Sequence, residues 1–126
     1  MTYPNDLKYT KEHEWIKIEG NTGTIGVTKY AIEQLGDVVY LDLPKVGVQF
    51  KAHDTFGTIE STKTVSDLYI PVSGKVVEVN TAITDTPENL AEDAYTKGWL
   101  IKVEMSETPN NLLSPSEYED YIKNHS

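Results

Sequence analysis

The feature that most constrains this chain is a motif that occurs twice: an apolar strand running into Pro-x-x-Gly. "LDLPKVG" supplies Pro44 and Gly47, "LYIPVSG" supplies Pro71 and Gly74, and the two prolines stand 27 positions apart. Proline lacks a backbone N–H and cannot sit inside a central ladder, so each copy ends a strand and turns the chain. Downstream of each, a glycine opens another apolar strand: Gly57 in "FGTIES" and Gly98 in "KGWLIKVEM". Two such half-units imply a pseudo-twofold sheet fold. The interval from Gly74 to Gly98 exceeds that from Gly47 to Gly57 by about 14 residues, a surplus assigned to a loop around Thr84 to Asp93.

The flanking segments agree with a sheet protein. "HEWIKIEG" reads as a strand closed by Gly20-Asn21, and "TGTIGVT" as a second. The period changes in "TKYAIEQLG", where Thr28 can cap, Ala31, Ile32 and Leu35 share a face, and Gly36 can end a helix near 29–35. "DVVYLDLP" alternates, with Val39, Leu41 and Leu43 on one face and Tyr40 and Asp42 on the other. "DTFGTIES", "TVSDLYIP", "GKVVEVN" and "GWLIKVEM" supply four further strands, whereas "TAITDTPENLAEDAYTK" reads as a long loop with one helical turn from Pro87. In "SPSEYEDYIKN" Ser114 and Glu117 form a capping box around Pro115, and Tyr118, Tyr121 and Ile122 form an inward stripe, predicting a helix near 115–124. The fold class is mostly β: a flattened barrel or sandwich, one domain over residues 1–126.

Composition narrows the functions open to such a sheet. The net charge of −9 disfavours nucleic acid and anionic membranes and favours partners with basic rims. No apolar run approaches the ~20 residues of a membrane span, and "MTYPNDLKYT" is neither a signal nor a transit peptide, so a cytoplasmic protein is expected. There is no cysteine, so any sulfur chemistry must come from an added group. His13, His53 and His125 lack a metal-ligand spacing, and neither a phosphate loop nor a nucleophile elbow occurs, so a metal-binding or hydrolytic reading is weak.

Lys63 falls between the two half-units, at the turn of "GTIESTKTVSDLYIPVSG". A lysine displayed there among small polar neighbours stays protonated and is a poor nucleophile by itself, but its amine is open to a modifying enzyme. Glu60 and Asp67 either mark the hairpin for that enzyme or are solvated strand residues.

At this point "ESTKTVSDLYIPVSGKVVEVN" resembles the lipoylation hairpin of the glycine cleavage system H proteins. "LKYTKEHEWIKIEG", "TIGVTKYAIEQLGDVVYLDLP", "FGTIEST" and "GWLIKVEM" match the same family in the same order, roughly from Leu7 to Lys123. The resemblance implies a biotinyl/lipoyl-like hammerhead in which Lys63 bears lipoic acid as an amide. It implies a carrier and not an enzyme: a shuttle taking an aminomethyl group from a pyridoxal-phosphate glycine decarboxylase to a tetrahydrofolate-dependent aminomethyltransferase. The dithiol then goes to the FAD enzyme dihydrolipoamide dehydrogenase. A lipoate ligase or lipoyl/octanoyl transferase would attach the group, and the carrier is expected to be a monomer. Glu14 and Asp67 match positions that line or border a cleft for the loaded arm, Val27 is a candidate for its apolar wall, and Glu60, from its place on the hairpin, is a candidate for lipoylation recognition. Thr62, Glu12 and Gln34 depart from the family's habit of an apolar residue, a small hydroxyl residue and a histidine. Three rivals stand beside this reading. A biotin carrier would flank the lysine with methionines, and a 2-oxoacid dehydrogenase lipoyl domain would be shorter and joined to linkers. An H-like paralogue relaying lipoate to other carriers is the third.

Overall fold

Strands of two to seven residues alternate with turns, and the chain folds into two antiparallel sheets that do not close into a barrel. The structure is a computed structural model describing residues 4–90, 92–109 and 112–125. The larger sheet has the order β1-β2-β3-β9-β8-β5, formed by Lys8–Tyr9, Glu14–Glu19, Thr22–Val27, Ile101–Met105, Gly74–Val79 and Gln49–Phe50. The smaller has the order β4-β6-β7, formed by Val38–Asp42, Thr55–Ser61 and Val65–Tyr69. Leu41, Ile59 and Leu68 from the smaller sheet are buried in one cluster with Ile16, Ile25, Val76 and Val103 from the larger. Burial of such side chains contributes roughly 1.5–3 kcal/mol each, which makes this inter-sheet layer the main stabilising element. The sandwich form of the expected fold is the one observed.

The repeat has a structural counterpart. Both Pro-x-x-Gly links carry the chain from the smaller sheet to the larger, β4 to β5 and β7 to β8, and the two strands so delivered pair with each other through Gln49↔Lys75 and Phe50↔Gly74. Gly47 adopts φ 99°, and its N–H donates to Val76 O at 2.8 Å. The symmetry breaks at the third strand of each unit, β6 remaining in the smaller sheet and β9 in the larger.

The surplus of the second unit holds more order than a loop. A short helix α2 (Thr81–Asp85) precedes the 3-10 turn that does begin at Pro87. Three of its five residues are Thr or Ile, poor helix formers, which hides α2 from a propensity reading. Asn80 holds it: its side chain accepts from Ile83 N, while its amide donates to Lys97 O at 2.9 Å and Trp99 O at 2.7 Å.

The alternation expected in β4 is corrected. Val38 is buried and Val39 is 48% exposed, because the register shifts between Val38 and Tyr40. That bulge puts one extra residue in the strand, so both Val39 and Tyr40 face solvent. The two-residue strands β1 and β5 were too short to give a periodic signal.

Helix α1 (Lys29–Leu35) begins and ends as expected: Thr28 Oγ1 accepts from Ala31 N, and Gly36 N donates back to Ile32 O. Helix α3 (Pro115–His125) carries the predicted capping box, with Glu117 N donating to Ser114 Oγ at 3.2 Å and Ser114 N donating to Glu117 Oε1 at 2.8 Å. It covers the outer face of the larger sheet, where Tyr118 joins Leu7, Tyr9 and Trp15 in a second buried cluster. Trp15 lies flat across Gly26 of β3; an ideal Cβ there would stand 2.5 Å from the indole carbons, so only glycine admits the ring.

Candidate functional site

The β6–β7 hairpin places Lys63 at its tip, and residues 62–65 are all exposed. The tip is nevertheless held. Ser61 is buried; its Oγ accepts from the backbone N–H of Lys63 at 3.1 Å and of Thr64 at 3.2 Å, and its N–H donates to Thr64 O. Thr62 N donates to Asp37 O at 3.1 Å, tying the tip to the turn after α1. The lysine stem lies across Gly36, where an ideal Cβ would stand 3.4 Å from Lys63 Cε and 3.6 Å from Nζ. Gly36 has φ 87° and ψ −140°, a region accessible essentially to glycine alone, so the backbone requires it, while the space beside it would leave an added Cβ in ordinary contact with the lysine stem.

Beside this tip a cleft of about 340 Å³ opens between the β1–β2 turn, α1 and β7. Its apolar walls include Val27, Leu35 and Ile59. Glu14, Val27 and Asp67, expected from sequence to meet there, all line it, as do Glu12 and Gln34. Lys63 is not among the lining residues; its stem lies across Gly36, which follows the lining residue Leu35 in the chain. Glu60 stands apart from the cleft, exposed on the outer face of the smaller sheet in the row Tyr40–Glu60–Val65. The register puts Asp67 on that same face, beside Thr58 and Asp42, so it contributes to the cleft at its rim.

Glu14 is not a solvated strand charge. It pairs with Val27 at the end of β2 on the inward face shared by Ile16, and is 1% exposed. Its Oε2 accepts from Tyr69 N at 2.9 Å, linking β2 of the larger sheet to the end of β7 in the smaller. Burial pushes the carboxyl up to about 8, and the Glu12 charge adds to this against the opposing hydrogen bonds from Tyr69 and Thr10. Near neutrality the Glu14 carboxyl is therefore mostly protonated.

His13 and Tyr30 also line the cleft and were not anticipated. His13 adopts φ 70° and its side chain is lodged among rings, with Nδ1 2.8 Å from Tyr118 Oη and the Tyr30 ring centroid 5.0 Å away. Burial lowers its affinity for a second proton. Its principal partner is 105 positions distant, so no local pattern could have marked it. Among the described residues no cluster of three metal-ligating side chains occurs.

The same arrangement of segments is found in known proteins. The family described as Glycine cleavage H-protein matches residues 7–125. A glycine cleavage system H protein of Carboxydothermus hydrogenoformans is 53% identical over 122 residues, covering 95% of this chain and 94% of the relative. One from Rubrobacter xylanophilus is 56% identical over 115 residues, covering 91% and 90%. The crystal structure of a glycine cleavage system H protein from Mycobacterium marinum superposes with a TM-score of 0.91 at 44% identity, covering 96% of this chain and 99% of that one.

Proposed function

This chain belongs to the glycine cleavage H-protein family, and from that premise we propose that Lys63 carries lipoic acid as an amide and that the protein is the mobile carrier of the glycine cleavage system. The observation that supports the site is the pairing of an exposed lysine on a pinned hairpin tip with an adjacent cleft of mixed apolar and acidic lining. The residues present suit the group: Gly36 leaves room for the stem, the Val27, Leu35 and Ile59 walls suit an aliphatic arm, and Glu14 and Asp67 suit a cationic end. When bound, the lipoyl group supplies the disulfide that takes up the aminomethyl group and is left as a dithiol for reoxidation.

The chain's own part is positional. Attachment forms one C–N bond between Lys63 Nζ and the acyl carbon of an activated lipoyl donor, with loss of the donor's leaving group and of protons from the ammonium. This removes a charge from the tip. Ser61 and Asp37 keep the tip in one shape for the attaching enzyme, a lipoate ligase or lipoyl/octanoyl transferase, and exposed Glu60 gives it a charged mark. The cleft shelters the loaded end from water, and Glu14 gives up its proton when the cationic aminomethyl group arrives, becoming its counter-ion. The protein is thus a cosubstrate and not an enzyme, a monomeric single-domain carrier in the cytoplasm. It is served by the pyridoxal-phosphate decarboxylase, the tetrahydrofolate-dependent aminomethyltransferase and the FAD-dependent dihydrolipoamide dehydrogenase.

Coexpression with a lipoate ligase followed by intact-mass measurement tests the site: one lipoyl group is expected, and none in Lys63→Arg. Lipoate on another lysine, or biotin in its place, overturns it. Glycine-dependent carbon dioxide exchange with the decarboxylase tests the role, and activity confined to donating lipoate to other carriers would replace the shuttle with a relay.

A further inference from the structure

A strand at the edge of a sheet exposes a row of N–H and C=O groups, and folds shorten or cover such edges to prevent stray pairing. Here β1 is closed by Leu113, whose carbonyl and N–H bond Tyr9 at 2.9 and 2.7 Å. Strand β4 has α2 and the 3-10 turn Pro87–Leu90 packed against it, and β5 is two residues long. Among the described residues β7 is the exception. It ends the smaller sheet, with β6 on one side and no strand on the other. Its phase follows from the turn. Ser61 N donates to Thr64 O at 2.8 Å, and bonded pairs alternate along an antiparallel ladder, so Ser66 and Leu68 also turn their backbone groups to β6. Ile70 keeps the phase by donating to Asp54 O. Val65, Asp67 and Tyr69 therefore turn theirs to the open edge, and Tyr69 N does meet Glu14 Oε2 there. Val65 and Asp67 have no comparable partner: Val65 O touches only the adjacent Thr64 Oγ1, at 3.5 Å. Both residues are exposed.

We propose that the open edge of β7 at Val65 and Asp67 is a docking strand for the enzyme that acylates Lys63, which adds an extended segment to the smaller sheet there. The edge begins two residues from Lys63, so a segment seated on it is held beside the acceptor amine. Glu14 sets the far limit, because its carboxyl already takes the next outward donor, Tyr69 N. Between these limits Val65 and Asp67 offer two N–H and two C=O groups. The chemistry of the segment follows from the register. Val65 and Asp67 project on the outer face, in rows with Tyr40 and Glu60 and with Asp42 and Thr58. The segment therefore presents an apolar side chain to Val65 and a basic one to Asp67, two positions apart. The cleft runs along the same edge through Ser66, Asp67 and Leu68, so the space beside the strand is open. A second copy is a poor occupant: each brings a net charge of −9 and, on this face, Asp42, Glu60 and Asp67. The choice of the acylating enzyme rests on the carrier reading; the open edge does not.

Amide hydrogen exchange tests the docking, on the Lys63→Arg chain, which cannot accept the group, with and without lipoate ligase charged by lipoate and ATP. In the free chain the Val65 and Asp67 amides are expected to exchange about tenfold faster than those of Ser66 and Leu68, and to slow about tenfold when the ligase binds. Val65→Pro removes the outward N–H and leaves the bonds to β6 in place, since an edge strand admits proline where its N–H faces away from the ladder. Compared with Val65→Thr, which keeps the N–H, it is expected to lower kcat/KM for lipoyl attachment about fivefold, the equivalent of one neutral hydrogen bond, through KM for the carrier. Equal kcat/KM in the two variants overturns the proposal, and so do Val65 and Asp67 amides that the ligase leaves unmoved. Protection of those amides that grows with carrier concentration in the absence of ligase overturns it in favour of a second copy. If Val65→Pro fails to fold, the exchange measurement decides. Absence of a lipoyl mass on the unaltered chain overturns the carrier reading, and the docking partner with it.

Discussion

At the scale of single residues, Glu14 carries the sharpest consequence. Its carboxyl is raised to about 8 in the fold, against 4.5 for the ordinary group, so folding takes up a proton between those values. Its contribution to stability is fully present below about pH 4.5 and is lost as pH rises through 8. Glu14→Gln keeps an acceptor for Tyr69 N and has no charge to bury. Relative to the unaltered chain the variant should gain stability across this window, on the order of 1 kcal/mol per pH unit, in urea melts followed at several pH values. Gly36→Ala should do the opposite. A residue forced to φ 87° costs about 1–3 kcal/mol, and relief of that strain would shift the turn that anchors Thr62, so both the melting temperature and the rate of lipoyl attachment should fall. Lys63 and Gly36 were legible in the sequence because a turn and a helix end are local events. The burial of Glu14 was not, since a charged residue beside Glu12 reads as solvated until the opposite sheet closes over it.

At the scale of elements, the terminal helix is held by its capping box and by Tyr118. Ser114→Ala removes the Oγ acceptor of Glu117 N and should lower stability by about 1 kcal/mol, with faster amide exchange in the first turn of α3. Both capped helices were legible from a few adjacent residues, Thr28 to Gly36 and Ser114 to Glu117, because capping chemistry is short-ranged. Strand β4 was legible as a strand but not in phase. Its bulge answers to the pairing of Val38 with Ser61 and of Tyr40 with Glu60, partners some twenty residues away. Helix α2 went unread for a related reason: what stabilises it is Asn80 reaching to Lys97 and Trp99, not the propensity of its own residues.

At the scale of the molecule, charge is unevenly placed. The three strands of the smaller sheet contain Asp42, Glu60 and Asp67 and no lysine, and their outer face also shows Tyr40, 56% exposed, and Val65, 58% exposed. A partner that meets Lys63 from this side needs an apolar centre and a basic rim. Initial rates of lipoyl attachment should therefore fall as salt is raised from about 0.01 to 0.5 M. Asp42→Lys with Glu60→Lys should be slower at low salt and nearly indifferent to its concentration. The wider topology has a further consequence, for order in time. Strand β3 finds one neighbour, β2, at once, but the other, β9, begins only at Ile101, and Tyr118 arrives later still. During synthesis the β6–β7 hairpin can close on itself well before the larger sheet is complete or Tyr118 has met His13. The tip that displays Lys63 is thus assembled early, and the cleft beside it gains its contact with Tyr118 only once the later segment Pro115–His125 has been made.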